Sequence, residues 1–245
     1  MSIKQILFGL VLAFVAPMKG DNEPGAIAPI LPLANPVLRD ETFDWKPALS
    51  QSMRFLLMEH GFRLAMQPKT RQRLGGPFFS DYADSVKALG GWGDGDNLFI
   101  NYVGHPMQGA MSGYIQIQND KRGKTLEFSN SKEYWQSRLK ALAWNAAYST
   151  QFELGPISES SIGNVGQRKG MSGYVDLVTT PTGGFALLIT EDALDRYIVR
   201  KWESRTDNVK MRGFYRVALN PCRAFANVLR GKSPWFRDTR ALETR

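Results

Sequence analysis

Apolar positions in this chain recur at three- and four-residue spacings over long stretches, and strict apolar-polar alternation is scarce, so the pattern predicts helices rather than strands. Residues 46 to 66 place Met53, Leu56, Leu57, Phe62, Leu64 and Met66 at helical intervals, with Gly61 interrupting them. A shorter helix is expected over 81 to 89, where Gly90 and Gly91 supply a stop signal. Pro106 suits the first position of a helix running to about Gln118, because the amide it lacks would have no helical partner there. On that helix Gly109 and Gly113 stand four apart, a spacing that permits close approach of another backbone. The best-marked helix spans 132 to 154. Ser131 offers a cap, Gly155-Pro156 offers a stop, and Trp135, Leu139, Leu142, Ala146, Ser149 and Glu153 share one face. A further helical region opens near Tyr174, is interrupted at Pro181-Thr182-Gly183-Gly184, where the proline is expected to kink or break it, and resumes through Phe185 to about Trp202; if the helix is continuous, Asp176, Thr180, Gly183, Leu187 and Glu191 share a face. A short helix around Arg223 to Leu229 follows. The expected fold is all-α, a compact bundle of about five helices with long loops.

The N-terminus changes this picture. Lys4 precedes an apolar run from Ile6 to Ala16, the layout of a secretory signal and too short for a comfortable membrane span of roughly 20 residues. Residues 1–16 are therefore expected to direct export, with the cleavage site open. Residues 17–47 carry Pro17, Pro24, Pro29, Pro32, Pro36 and Pro47, which suits a linker or arm, and 48–245 is expected to form a single helical domain. The lone cysteine, Cys222, excludes an internal disulfide. The net charge of +8 is uneven: residues 196–245 hold 13 Lys or Arg against 4 Asp or Glu, so the rest of the chain is close to neutral. An exported protein rarely meets nucleic acid, so the expected partner is anionic membrane lipid or an acidic envelope polymer, attracted by about 1 kcal/mol per surface cation. Arg196, Arg200 and Lys201 are the candidate binding residues.

Candidate chemistry is sparse. His60 and His105 are the only histidines, and His60 has no ligand partner at helical spacing beyond its neighbour Glu59, so neither a metal nor another cofactor is expected. The glycine-rich run Gly90 to Gly95 lacks the lysine and the strand-then-helix context of a phosphate-binding loop, and Met171-Ser172-Gly173 lacks a nucleophile elbow. What remains is a set of polar groups on helix faces that otherwise look buried: Asn101, His105, Glu153, Glu159, Asp176 and Glu191. A buried carboxylate is costly without a partner, so these groups should find one another or line a wet cavity. His105 paired with Asp176 or Glu153 could perform acid-base chemistry, with Glu191 a further candidate and Asn101 a binding residue. The same groups could equally form a hydrogen-bonded network that fixes helix register.

The run Asn101-Tyr102-Val103-Gly104-His105-Pro106-Met107-Gln108-Gly109, then Thr180-Pro181-Thr182-Gly183-Gly184 leading to Glu191, then Asn220-Pro221-Cys222-Arg223, resembles a family of exported bacterial proteins of unknown function. The similarity covers roughly residues 97 to 230 and implies an envelope location and a helical domain rather than a reaction. A fainter similarity is to helical proteins of the VanZ type, with His105, Glu153 and Asp176 with Gly183 in the recurring positions; Thr179 or Thr180 stands where an asparagine is expected. The leading functional expectation is a binding or scaffolding domain at a membrane surface. The alternatives are an envelope hydrolase or lipid-modifying enzyme built on His105 with Asp176 or Glu153, and a carrier of a small apolar ligand.

Overall fold

A computed structural model describes residues 43–162 and 173–242, where the helical periodicity becomes α1 (Trp45–Met66), α2 (Pro68–Arg73), α3 (Phe78–Lys87), α4 (His105–Asn119), α5 (Lys132–Leu154), α6 (Val175–Leu194), α7 (Val209–Ala218) and α8 (Pro221–Leu229). Two π-helical turns adjoin them: Ile100–Gly104 leads into α4, and Asp195–Val199 carries α6 into a last turn at Arg200–Glu203. The described residues form no strand; Phe43 and Asp120 make an isolated bridge. The all-α bundle expected from the sequence is what forms, with α2 and α7 added as short helices. The expected export signal lies outside the described residues, and α1 begins at Trp45, so Pro47 sits in a first helical turn rather than in an arm.

Helices α4, α5 and α6 pack closest and form the centre, with α1 and α8 against α4. Glycine makes this possible. A Cβ added at Gly109 would lie 1.9 Å from the Thr180 carbonyl oxygen, and one at Gly184 would lie 2.6 Å from the Gly109 backbone, so α4 and α6 touch main chain to main chain. This contact explains why α6 runs unbroken through Pro181, where a kink or a break is expected. Proline forfeits one helical hydrogen bond, and the seating of Gly184 against α4 holds the helix in register across that gap.

The second correction concerns which faces are inside. On α5 the apolar stripe does not all face the core: Leu139 is exposed, while Tyr134, Arg138, Ala141, Asn145 and Tyr148 are buried. On α1, Trp45, Leu49, Met53, Leu57, Phe62 and Met66 are between 45% and 66% exposed, while Gln51, Phe55, Leu56, His60 and Arg63 face inward. Among the described residues, buried polar or charged side chains outnumber buried apolar ones. The interior is held by hydrogen bonds as well as by packing: Ser112 donates to Asn145 Oδ1 at 2.9 Å, Gln118 to Asn227 at 3.0 Å, and Asn119 to Gln51 at 3.0 Å.

Half of the described C-terminal cations are buried or half-buried. Arg216 pairs with Glu203, Arg223 with Asp192, Arg237 with Asp195 at 3.0 Å, and Arg240 with Glu203 at 3.0 Å. The exposed Arg196 donates to the Phe128 carbonyl at 2.7 Å, and Arg200 pairs with Glu127, leaving Lys201 exposed beside them. Part of the charge imbalance of the sequence is thus taken up by ion pairs, of which those to Asp192 and Asp195 fasten the C-terminal segment to α6 and the turn that follows it. Glu191 is also structural. Its carboxylate accepts the amides of Cys222 at 2.8 Å and Arg223 at 3.1 Å, capping α8 in place of the Asn220 side chain.

Candidate functional site

The C-terminal end of α5 meets the N-terminal ends of α4 and α6, and this junction gathers His105, Glu153 and Asp176. Loop residues 88–99 close over it, because Tyr174 N–H donates to Gly91 O at 3.1 Å and Val175 N–H to Trp92 O at 3.0 Å. The end of α1 adds His60 and Arg63, with Arg63 Nε 2.7 Å from Glu159. A π-helical turn immediately before His105 sets its entry, a feature frequent at functional sites.

His105 Nε2 lies 3.3 Å from Asp176 Oδ1, and one ligating atom each from His105, Glu153 and Asp176 fall within 4.8 Å of one another. His105 Nδ1 lies 3.1 Å from Gln108 Oε1, and in the tautomer that donates to this oxygen Nε2 presents its lone pair. The Thr180 hydroxyl stands 3.2 Å from the same Nδ1 and fixes the ring further. Glu153 Oε1 and Asp176 Oδ1 are buried and receive no hydrogen bond; the His105–Asp176 approach is close without being aligned. Asn101, a residue of the π-helical turn, donates to Asp94 Oδ1 at 3.0 Å and so positions that loop carboxylate.

Burial pushes the Asp176 carboxyl up to about 9, helped by its hydrogen bond with Asp94 and that group's charge. Burial pushes Asp94 up as well, but hydrogen bonds from Asp176, from the Asp96 amide and from Asn101 outweigh it and hold Asp94 below the ordinary carboxylate range. Glu153, Glu159 and Asp96 are all raised, first by burial and then by neighbouring carboxylates. Burial lowers His105, against the Gln108 hydrogen bond and the charge of Asp94. Arg63 is the cation that tempers this acidic group, and it is engaged by Glu159.

Of the residues singled out from the sequence, His105, Glu153, Asp176, Glu159 and Asn101 converge here. Glu191 does not, and Arg196, Arg200 and Lys201 lie in the turns beyond the end of α6, some 20 to 25 residues past Asp176 and roughly 30 Å or more away at the helical rise. Asp94, Asp96, Glu59 and Arg63 are additions that sequence spacing did not reveal. The signal available was the acidic content of the loop Gly93-Asp94-Gly95-Asp96. His60 is a packing residue: its ring stacks on Phe152 at 5.1 Å, its Nε2 donates to Ile157 O at 3.2 Å, and burial lowers it to about 4.

Glu59 accepts the Tyr148 hydroxyl at 2.6 Å, and burial pushes its carboxyl up to about 8. An unfolded glutamate ionises near 4.3, so folding suppresses its ionisation between those values and stability falls as pH rises through that window. Glu59→Gln keeps a hydrogen-bond acceptor and removes this penalty. The variant should melt higher than the parent at pH 8 and similarly at pH 4 in paired calorimetric scans; equal melting at both pH values would contradict the assignment.

Comparison with protein-family models, with curated proteins and with solved structures finds no match for this chain. The functional reading therefore rests on the residues themselves.

Proposed function

We propose that this protein is a hydrolase acting on lipid or a similar amphiphile at a membrane surface, with His105, Glu153 and Asp176 as its water-activating centre. One observation carries the proposal: a neutral imidazole able to take a proton from water and two carboxyls converge from three helices, and both carboxyls hold a buried oxygen with no hydrogen-bond donor. Amide atoms elsewhere in the interior, such as Asn145 Nδ2 and Gln118 Oε1, also lack a partner, but here the unpartnered atoms are oxygens of two carboxyls facing one histidine, and a carboxylate is the costlier group to bury that way. In the reaction, water gives its oxygen to an acyl or phosphoryl centre, and its proton ends on the leaving oxygen.

The membrane component draws on the outer surface. Between Leu49 and Met66, Arg54 is the one exposed charged side chain, and it donates to the Leu229 carbonyl at 3.3 Å. At the end of the bundle that carries the centre, Phe78, Phe79, Trp92, Leu98, Phe99 and Tyr102 are exposed; Trp92 and Tyr102 join by a hydrogen bond of 3.1 Å. Aromatic and aliphatic side chains in such number suit the boundary between headgroups and acyl chains. No helix among the described residues is long and apolar enough to cross a membrane, so contact with one leaflet is the form this reading takes. The apolar run at the N-terminus supports an exported, envelope location.

Two measurements test the proposal. Protein incubated with vesicles of phosphatidylethanolamine and phosphatidylglycerol should release a product identifiable by mass spectrometry, and His105→Ala should reduce its rate at least about 100-fold while melting close to the parent. Unchanged turnover in His105→Ala removes the centre. In flotation assays Leu57→Glu with Phe62→Glu should abolish vesicle binding at high salt, whereas charge reversal at Arg196, Arg200 and Lys201 should leave most of it, because apolar contact is not screened. The opposite ranking would restore the basic segment as the membrane contact.

A further inference from the structure

The geometry points to a divalent transition-metal site of the zinc class, with His105 Nε2 and carboxylate oxygens of Glu153 and Asp176 as its three protein ligands. The inference rests on the reading of this cluster as a reaction centre and assigns it a cofactor. A nitrogen with two carboxylates suits zinc or its first-row neighbours rather than calcium or magnesium, which favour all-oxygen shells.

Distances bear on the assignment first. Two ligands bonded at about 2.1 Å to a tetrahedral ion stand roughly 3.4 Å apart. His105 Nε2 and Asp176 Oδ1 are 3.3 Å apart, and the third ligating atom completes a set within 4.8 Å, so Glu153 closes the shell by a small side-chain movement. The ring is also correctly presented. A metal-binding histidine typically donates its other nitrogen to an oxygen acceptor, and Gln108 Oε1 takes that role 3.1 Å from Nδ1.

A separate observation distinguishes this cluster from an ordinary acidic patch. The Asp176 side chain is only 5% exposed, yet Oδ1, the atom nearest Nε2, receives no hydrogen bond, and Glu153 Oε1 is likewise buried and without a donor. Oxygens held this way lack a partner of positive character, and a cation between the three groups supplies it to both at once. Three protein ligands leave a fourth position for water, which a bound divalent ion brings to ionise near neutral pH.

The test uses the full-length chain, stripped with a chelator and dialysed against Zn²⁺, with metal content measured by elemental mass spectrometry. One equivalent per chain is expected. His105→Ala, Glu153→Gln and Asp176→Asn should each weaken binding at least 100-fold, Gln108→Leu should weaken it 10- to 100-fold through loss of ring orientation, and Lys201→Ala should bind as the parent does. Substitution with Co²⁺ reads the parent alone and so does not depend on any variant folding: an intense visible absorption marks a four-coordinate site, and a weak octahedral spectrum counts against it. Absence of stoichiometric binding, or binding indifferent to the three ligand substitutions, overturns the assignment. Vesicle turnover separates the two readings. Activity that survives chelation but needs His105 leaves the reaction centre standing and removes the metal, whereas stoichiometric metal with no turnover that depends on His105 keeps the site and removes the hydrolase.

Discussion

Gly109→Ala should lower the melting temperature by about 10 °C or more, or prevent folding outright. The added methyl carbon would sit 1.9 Å from the Thr180 carbonyl oxygen and 3.0 Å from Gly184 Cα, both main-chain atoms that no rotamer change can move aside. Relief requires α4 and α6 to separate, which disrupts the packing of Ala110, Tyr114 and Leu188 at the centre of the core. Overpacking typically costs about 1–3 kcal/mol even where side chains yield, and each kcal/mol is worth about 2–4 °C in a domain of this size. Gly61→Ala is the paired control. It lies inside α1 with nothing within 4 Å of an added Cβ, so it should stabilise by about 0.5–1 kcal/mol through helix propensity. Thermal denaturation of the two variants side by side checks the contact; a Gly109→Ala protein that melts with the parent would mean that α4 and α6 do not meet at their backbones.

That contact also marks where sequence reasoning reached its limit. Helix α5 was legible to both ends because its signals are local: Ser131 accepts the Tyr134 amide at 3.2 Å, and Gly155-Pro156 ends the run. Helix α6 was not, because Pro181 and the two glycines are breakers by local chemistry and become compatible with a helix only against the glycine surface of α4. The face of α5 was misassigned for a related reason. Periodicity identifies a stripe without showing what packs on it, and on α5 Leu139 faces out while Arg138 faces in. The site was partly legible. His105, Glu153 and Asp176 stood out as costly polar groups on helices, but no spacing along the chain relates Asp94 to Asp176 or Arg63 to Glu159, since each pair is made by folding.

At the other end of α6, Arg138→Ala should destabilise the protein by about 3–5 kcal/mol, a fall of roughly 10 °C in melting temperature. Arg138 and Asp192 are each 1% exposed and 2.8 Å apart, and Arg138 also donates to the carbonyls of Gly123 at 3.1 Å and Leu126 at 2.9 Å. Its loss leaves Arg223 as the one cation paired with Asp192, beside the hydroxyls of Tyr114 and Tyr134, and takes the arginine donor from both carbonyls. Because Asp192→Ala strands the arginine in turn, the double variant should cost less than the two single changes together, and a double-mutant cycle measures that coupling. Additive losses would show the pair to be independent. Acid should act on the same network. Burial pushes Asp195 up, but Arg223, Arg237 and Arg240 outweigh it and hold the carboxyl at about 2, and Asp192 is lowered by Arg138 and Arg223 against its burial. An unfolded aspartate titrates near 3.9, so this stability is fully present above that value and is lost as pH falls through about 2. Melting temperature should therefore drop between pH 4 and pH 2 in the parent and less steeply in Asp195→Asn. The two ends of α6 then stand in physical contrast: at one, every buried aspartate is matched by arginine and the fold is fastened, while at the other, buried carboxyls are left short of partners.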